Sequence, residues 1–241
     1  KKVLFSGTPC QVAALYSVLG KAARTPNLFT VDIVCFGVPS VKVFQKYVKE
    51  LEEARGSPLR QFVFRDKSTG WSTYSQSYLF DDEKTVSEPI GRSKYMQLFL
   101  NRICLNQSCD ECRYRRLPRI ADITLGDFWR VSNYHPEMDD NRGTSAVLLN
   151  TAHGWELFDS VAGAVVQCES NVENVIAGNP CIVKSAEPHP KRSEFFANLD
   201  KNSLDELMKK FCPFPSLLKN VYLSIRGGLG RLKLQVIKLF F

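Results

Sequence analysis

The chain has 241 residues, 44% hydrophobic and 24% charged, enough for one large domain or two small ones with a sizeable core. Seven of its 32 basic residues follow Glu206, whereas all 25 acidic ones lie at or before it. Residues 1–206 therefore balance, the net charge of +7 belongs to the tail, and a nucleic-acid-binding body loses its electrostatic basis. No apolar run is long enough to span a bilayer and no signal peptide is visible. Eight cysteines are too sparse for a disulfide scaffold, so a reducing cytoplasm is the expected setting.

Lys1-Lys2-Val3-Leu4-Phe5 enters an apolar strand at once and reads as a fragment whose natural amino terminus lies upstream. The strand Lys2–Ser6 ends in Gly7-Thr8-Pro9-Cys10. Gln11 to about Lys21 has helical spacing, with Val12, Leu15, Val18 and Leu19 on one stripe. A second strand, Leu28 to Val34, stops at Cys35, and Gly37-Val38-Pro39-Ser40 opens a helix reaching Glu53 before Gly56. This strand–helix–strand unit predicts parallel strands, with Cys10 and Cys35 both past their carboxyl ends, where open α/β sheets hold ligands.

From Arg60 to Val86 the pattern turns to β, with Gln61–Arg65 and Tyr74–Phe80 around a turn at Lys67-Ser68-Thr69-Gly70. Met96–Cys104 reads as helical and leads into Cys109-Asp110-Glu111-Cys112, followed by basic Arg113-Tyr114-Arg115-Arg116. Ala121–Leu125 is a further strand, stopping at Gly126-Asp127-Phe128-Trp129. Asp139–Gly143 is a loop, Ala146–Asn150 a strand and Gly154–Ala162 a helix; Lys191–Asn198 and Ser203–Phe211 are expected helices. The predicted class is α/β (α+β): a parallel strand–helix–strand core, an inserted β region and a helical carboxyl-terminal part. The expected division is a domain over 1–206 and a basic amphipathic tail over 207–241. The acid-free stretch from Leu217 to Phe241 suits an anionic membrane surface, a partner subunit, or a core helix pair broken at Gly227-Gly228.

Cys10, Cys35, Cys109 and Cys112 come from three separate segments. Cysteine binds metal as the thiolate, and the expected helix start at Cys10 favours that charge. A thioredoxin-type dithiol needs its CxxC at a strand-to-helix junction, whereas this one lies in a polar loop. Four-cysteine zinc sites commonly use two CxxC-type pairs, and only one is present. Unused structural cysteines remain a further reading, and a [4Fe–4S] cluster fits the scattered set best.

At these positions the sequence resembles the coenzyme F420 hydrogenase/dehydrogenase beta-subunit family. The resemblance is carried by Val3 to Leu15, by Asp32 to Ser40, and by Cys109-Asp110-Glu111-Cys112 with Ala121 to Trp129, in the family's order over about residues 1–200. It implies an iron–sulfur flavoprotein oxidoreductase in which FAD and a [4Fe–4S] cluster exchange electrons. It also implies Cys10, Cys35, Cys109 and Cys112 as cluster ligands. The implied partners are ferredoxin or another redox protein and a small-molecule acceptor such as coenzyme F420. Phe36 stands where relatives usually have His, and Arg130 where they often have Gly. The family's glycine-rich flavin segment is expected upstream of residue 1.

Gly7, Thr8 and Gln11 suit a phosphate or ring edge at a helix start, or equally a tight turn. Gly126 and Asp127 end a strand beside the proposed centre, and Gly143-Thr144-Ser145 resembles a family loop before a strand; these are further cofactor-contact candidates. Spacing alone leaves Cys104 as an alternative to Cys109. Cys168, Cys181 and Cys212 match no ligand motif, and His135, His153 and His189 are scattered. The competing function is a non-catalytic binding module, stapled by zinc or metal-free. The setting is cytoplasmic, with peripheral membrane contact through the tail as an option.

Overall fold

The computed structural model describes residues 1–185 and 187–213, so residues 214–241 of the expected tail lie outside the described residues. Two sheets carry the fold. The first joins β1 (Val3–Gly7), β2 (Leu28–Ile33), β6 (Ile123–Asp127) and β7 (Ser145–Leu149), in that spatial order. β1, β2 and β6 are parallel, and β7 adds an antiparallel edge. The second is an antiparallel sheet of β3 (Leu59–Asp66), β4 (Ser75–Phe80) and β5 (Thr85–Pro89), inserted in sequence between β2 and β6. This is the expected α/β class with its inserted β region.

The near-continuous burial of β2 is that of a strand covered on both faces. Its neighbours confirm the alternation. Tyr16 Oη, on α1 (Pro9–Leu19), lies 2.7 Å from Thr30 Oγ1, while the ring of His153, on α4 (Ala152–Asp159), packs against Phe29 at 5.4 Å. Thr30 and Phe29 are adjacent residues and so point to opposite faces. α1 covers only the edge strand β1 and its neighbour, and the stripe expected on it is correspondingly narrow: Val12 is buried, Leu15 half-buried, and Val18 is 85% exposed.

A buried carboxylate lies in the middle of this apolar strand. Asp32 is matched by Arg119, whose Nη2 donates to its Oδ2 at 3.2 Å, with both side chains inaccessible. Asp122 departs from the expected strand over Ala121–Leu125 for a similar reason. Its Oδ2 accepts from the Thr30 N–H and hydroxyl at 2.8 and 2.7 Å, so residues 121–122 serve as a clasp to β2 and the ladder begins at Ile123.

The second sheet packs with α2 (Val41–Arg55), α3 (Lys94–Leu100), α6 (Arg192–Asn198) and α7 (Leu204–Phe211) around one core, including Tyr47, Tyr78, Tyr95, Phe195 and Leu207. α3 is shorter than the expected Met96–Cys104, because Arg102 takes a positive φ of 64° and turns Ile103 and Cys104 into that core. α7 runs across position 206, and its Leu207, Met208 and Phe211 are core residues. A smaller core holds Phe128, Val131, Ala146, Val175 and Ile182, with Val175 on α5 (Val172–Gly178), a helix the sequence pattern did not suggest. Among the described residues, no helix is long and apolar enough to cross a membrane.

Candidate functional site

Cys10 is the second residue of α1, after the Thr8 cap and Pro9, and Cys35 follows the end of β2 by two positions. Adjacent parallel strands thus deliver both thiols to the same sheet edge. Cys109 closes a short 3-10 turn from Gln107, and its Sγ accepts the Val38 N–H at 3.4 Å. Burial pushes the Cys35 thiol up; the Gly37 N–H opposes this, the Cys109 thiol adds to it, Arg115 opposes it, and the Cys10 thiol adds to it. Cys10, Cys35 and Cys109 therefore share one electrostatic neighbourhood.

Cys112 is fixed through its backbone, its N–H donating to Ser185 Oγ at 3.1 Å. The chain just beyond is fastened by Arg115, which donates to the Phe36 carbonyl at 2.5 Å and to the Lys184 carbonyl at 3.4 Å. Among the described residues, no three of these four sulfurs lie within 4.8 Å of one another, and all are free thiols.

Beside this group, past the ends of β2 and β6, opens a cavity of about 780 Å³ bordered by Val34, Phe36, Asp127, Arg115 and Ser185. Its walls carry Phe64, Tyr74, Tyr95, Phe99 and Trp129, and its charges include Arg65, Arg102 and Lys184. Arg65 Nη1 pairs with Asp127 Oδ2 at 2.6 Å, while its guanidinium lies 4.7 Å from the Tyr74 ring centroid and 5.7 Å from that of Trp129. Among the described residues, its Nε and Nη2 are buried without a partner. Two unused donors of a fixed cation, in a cavity of ordinary small-ligand size, suit an anionic or carbonyl-rich ring.

The remaining sequence candidates separate into two groups. Asp127 borders the cavity, whereas Gly126 lies behind it and lets the chain approach the lining residue Val34 to where a Cβ would meet its Cγ2 at 2.6 Å. Thr8, Gly7 and Gln11 form the helix cap: the Thr8 N–H and hydroxyl donate to Gln11 Oε1 at 2.8 and 3.0 Å, and a Cβ on Gly7 would crowd that oxygen at 2.9 Å. The tight-turn alternative thus has direct geometric support. Gly143, at φ 96°, holds its backbone against Trp71, whose ring packs on Trp129 at 4.3 Å with a tilt of 37°. Thr144 Oγ1 donates to the Met138 carbonyl at 2.5 Å, and exposed Ser145 pairs with Asp127 across the β6–β7 ladder.

Cys104 is fully buried in the larger core, where burial pushes its thiol up to about 12; Cys212 lies in the same core and is pushed up to about 11. Cys181 borders the cavity. Arg65 and Tyr74 were not singled out by sequence reasoning; the available signal was the aromatic–arginine run Phe62-Val63-Phe64-Arg65 on β3.

A comparison with curated proteins gives no match. Residues 1–174 match the family model for the carboxyl-terminal region of the coenzyme F420 hydrogenase/dehydrogenase beta subunit, so the chain belongs to that family and, at this coarse level, to the components of electron-transfer oxidoreductases.

Proposed function

We propose that the protein is a cluster-bearing electron-transfer subunit in which Cys10, Cys35, Cys109 and Cys112 hold a [4Fe–4S] cluster. The aromatic cavity beside them receives the ring of a flavin or of the final acceptor. The observation that carries this reading is geometric: parallel β1 and β2 deliver Cys10 and Cys35 to one sheet edge, and the N–H of Val38, three residues past Cys35, donates to the sulfur of Cys109.

One CxxC pair joined by two single thiols from other segments supports a cluster over a zinc staple, since four-cysteine zinc sites commonly use two CxxC-type pairs. The Val38 N–H donates to the Cys109 sulfur at 3.4 Å, a backbone contact of the kind that orients a metal-bound thiolate.

When bound, such a cluster supplies one-electron transfer. The chain's own residues provide the setting. Phe36, the residue after Cys35, and Trp129 put aromatic surface on the cavity wall, and Arg102 lies 5.4 Å from the Phe36 ring centroid. Arg65, held by Asp127, offers its free donors to a ring carbonyl or acidic group. FAD and a coenzyme F420-like acceptor are the ring systems we assign to this cavity. The electron donor we assign is ferredoxin or another redox protein, in keeping with a family of hydrogenase and dehydrogenase subunits.

Single serine substitutions test the ligand set. Cys10→Ser, Cys35→Ser, Cys109→Ser and Cys112→Ser should each lose iron under anaerobic purification, whereas Cys104→Ser and Cys181→Ser should keep it. Iron retained in Cys109→Ser and lost in Cys104→Ser would overturn the assignment.

A further inference from the structure

Apart from the cavity and its cysteines, three metal-ligating groups of different chemistry meet. A ring nitrogen of His135, a carboxylate oxygen of Glu137 and Sγ of Cys168 all lie within 4.8 Å of one another. His135 and Glu137 belong to the loop after β6, with Glu137 in the 3-10 turn Pro136–Met138. Cys168 lies in the irregular stretch before α5. His135 and Glu137 are two positions apart, and it is the fold that brings Cys168 to them.

We propose that His135, Glu137 and Cys168 form a second metal site, independent of the four-cysteine group, that binds one zinc ion with a water in the fourth position. The donor set argues for zinc. Thiolate, imidazole and carboxylate together suit a borderline-soft ion, and three protein ligands leave an open position of the kind zinc fills with water. The charges close as well: one thiolate and one carboxylate neutralise the dication.

The geometry is partly prepared. His135 Nδ1 lies 3.6 Å from Glu137 Oε1, close to the separation of two light-atom ligands on one tetrahedral zinc, about 3.3 Å from bond lengths near 2.0 Å. The opposite ring nitrogen, Nε2, is 2.8 Å from Ser170 Oγ. If Nε2 donates there, Nδ1 is left free to ligate, as is usual for metal-bound histidine. The Phe128 ring meets the imidazole edge-on at 6.0 Å and limits its rotation. Cys168 is exposed, so an ion has access and loses little solvation elsewhere. The ion would pin residues 165–171 to the loop that follows Asp127, and through Phe128 to the smaller core.

Elemental analysis of anaerobically purified protein dialysed against zinc provides the test, with cobalt(II) replacement as its spectroscopic arm. The expected result is one zinc per chain, lost in both Cys168→Ser and His135→Ala while iron content stays unchanged, with the zinc-dependent rise in unfolding midpoint lost in the same two variants. Cobalt should give a thiolate charge-transfer band that vanishes in Cys168→Ser but persists in Cys10→Ser. Ser170→Ala, a positioning change, should weaken zinc about tenfold in competition with a chromophoric chelator. Zinc absent from the native chain, or equally retained in Cys168→Ser and His135→Ala, would overturn the proposal. Either outcome leaves the cluster assignment untouched, because its readout is iron.

Discussion

Arg115 donates to the carbonyl oxygen of Phe36 at 2.5 Å, joining the loop that follows the CxxC pair to the residue after Cys35. Its other branch reaches the Lys184 carbonyl, next to the serine that holds the Cys112 backbone. One largely buried side chain thus fixes the relative position of two cysteine-bearing segments.

Replacing Arg115 by methionine keeps the apolar stem and removes both bonds. Hydrogen bonds to charged groups contribute about 1.5–3 kcal/mol, so the unfolding midpoint should fall and iron per chain should drop more steeply than stability alone predicts. Arg115→Lys, with one compact donor head in place of a fork, should fall between the two. Iron content and urea midpoints measured on the same preparations check this, and full iron loading in Arg115→Met would contradict it.

The Asp32–Arg119 pair predicts a pH signature. Burial raises the Asp32 carboxyl from its ordinary 3.8, against the opposing effects of Thr124 and Arg119. Arg119→Met removes the cation and should cost about 3–5 kcal/mol at neutral pH, since it strands a buried charge. The folded-state carboxyl then rises further, so the cost should shrink as pH falls through that value and level off below the native protein's own raised value, where Asp32 is protonated in both folded forms. Denaturation of both proteins between pH 7 and pH 4 measures the difference; a penalty independent of pH would contradict it.

Thiol reactivity should sort the cysteines by burial. In metal-free native protein, Cys10 and Cys168 are exposed and should alkylate first. Cys104 and Cys212, buried and raised to about 12 and 11, should resist near neutral pH and react only after unfolding. Mass spectrometry of peptides after timed iodoacetamide treatment distinguishes the classes, and early labelling of Cys104 would contradict its core placement.

Gly143 supports the cavity wall from behind. Its φ of 96° disfavours a side chain, and a Cβ there would run into the Trp71 indole. Gly143→Ala should cost about 1–3 kcal/mol and shift tryptophan fluorescence by disturbing the tilted Trp71–Trp129 contact. An unchanged midpoint and spectrum would contradict that role.

The parallel β1–α1–β2 core was legible because Gly7, Pro9, Gly37 and Pro39 punctuate apolar runs, and topology then implies where Cys10 and Cys35 end up. The exposure of Val18 was not legible, because a helical stripe does not say how many strands lie beneath it. The Arg65–Asp127 pair joins residues 62 positions apart on different sheets, and such pairings leave no periodic trace. The same holds for His135 and Cys168, each of which looks ordinary in isolation. Gly143 was visible as a special position, but its partner Trp71 was not.

The central claim is that four thiols hold an iron–sulfur cluster, and low-temperature EPR of anaerobically purified protein, with iron counted on the same sample, tests it most directly. The account predicts a brown protein with about four irons per chain, bleached by dithionite with the appearance of a reduced-cluster signal, and loss of both in Cys35→Ser. A colourless protein whose zinc is lost in Cys10→Ser and Cys109→Ser would contradict it.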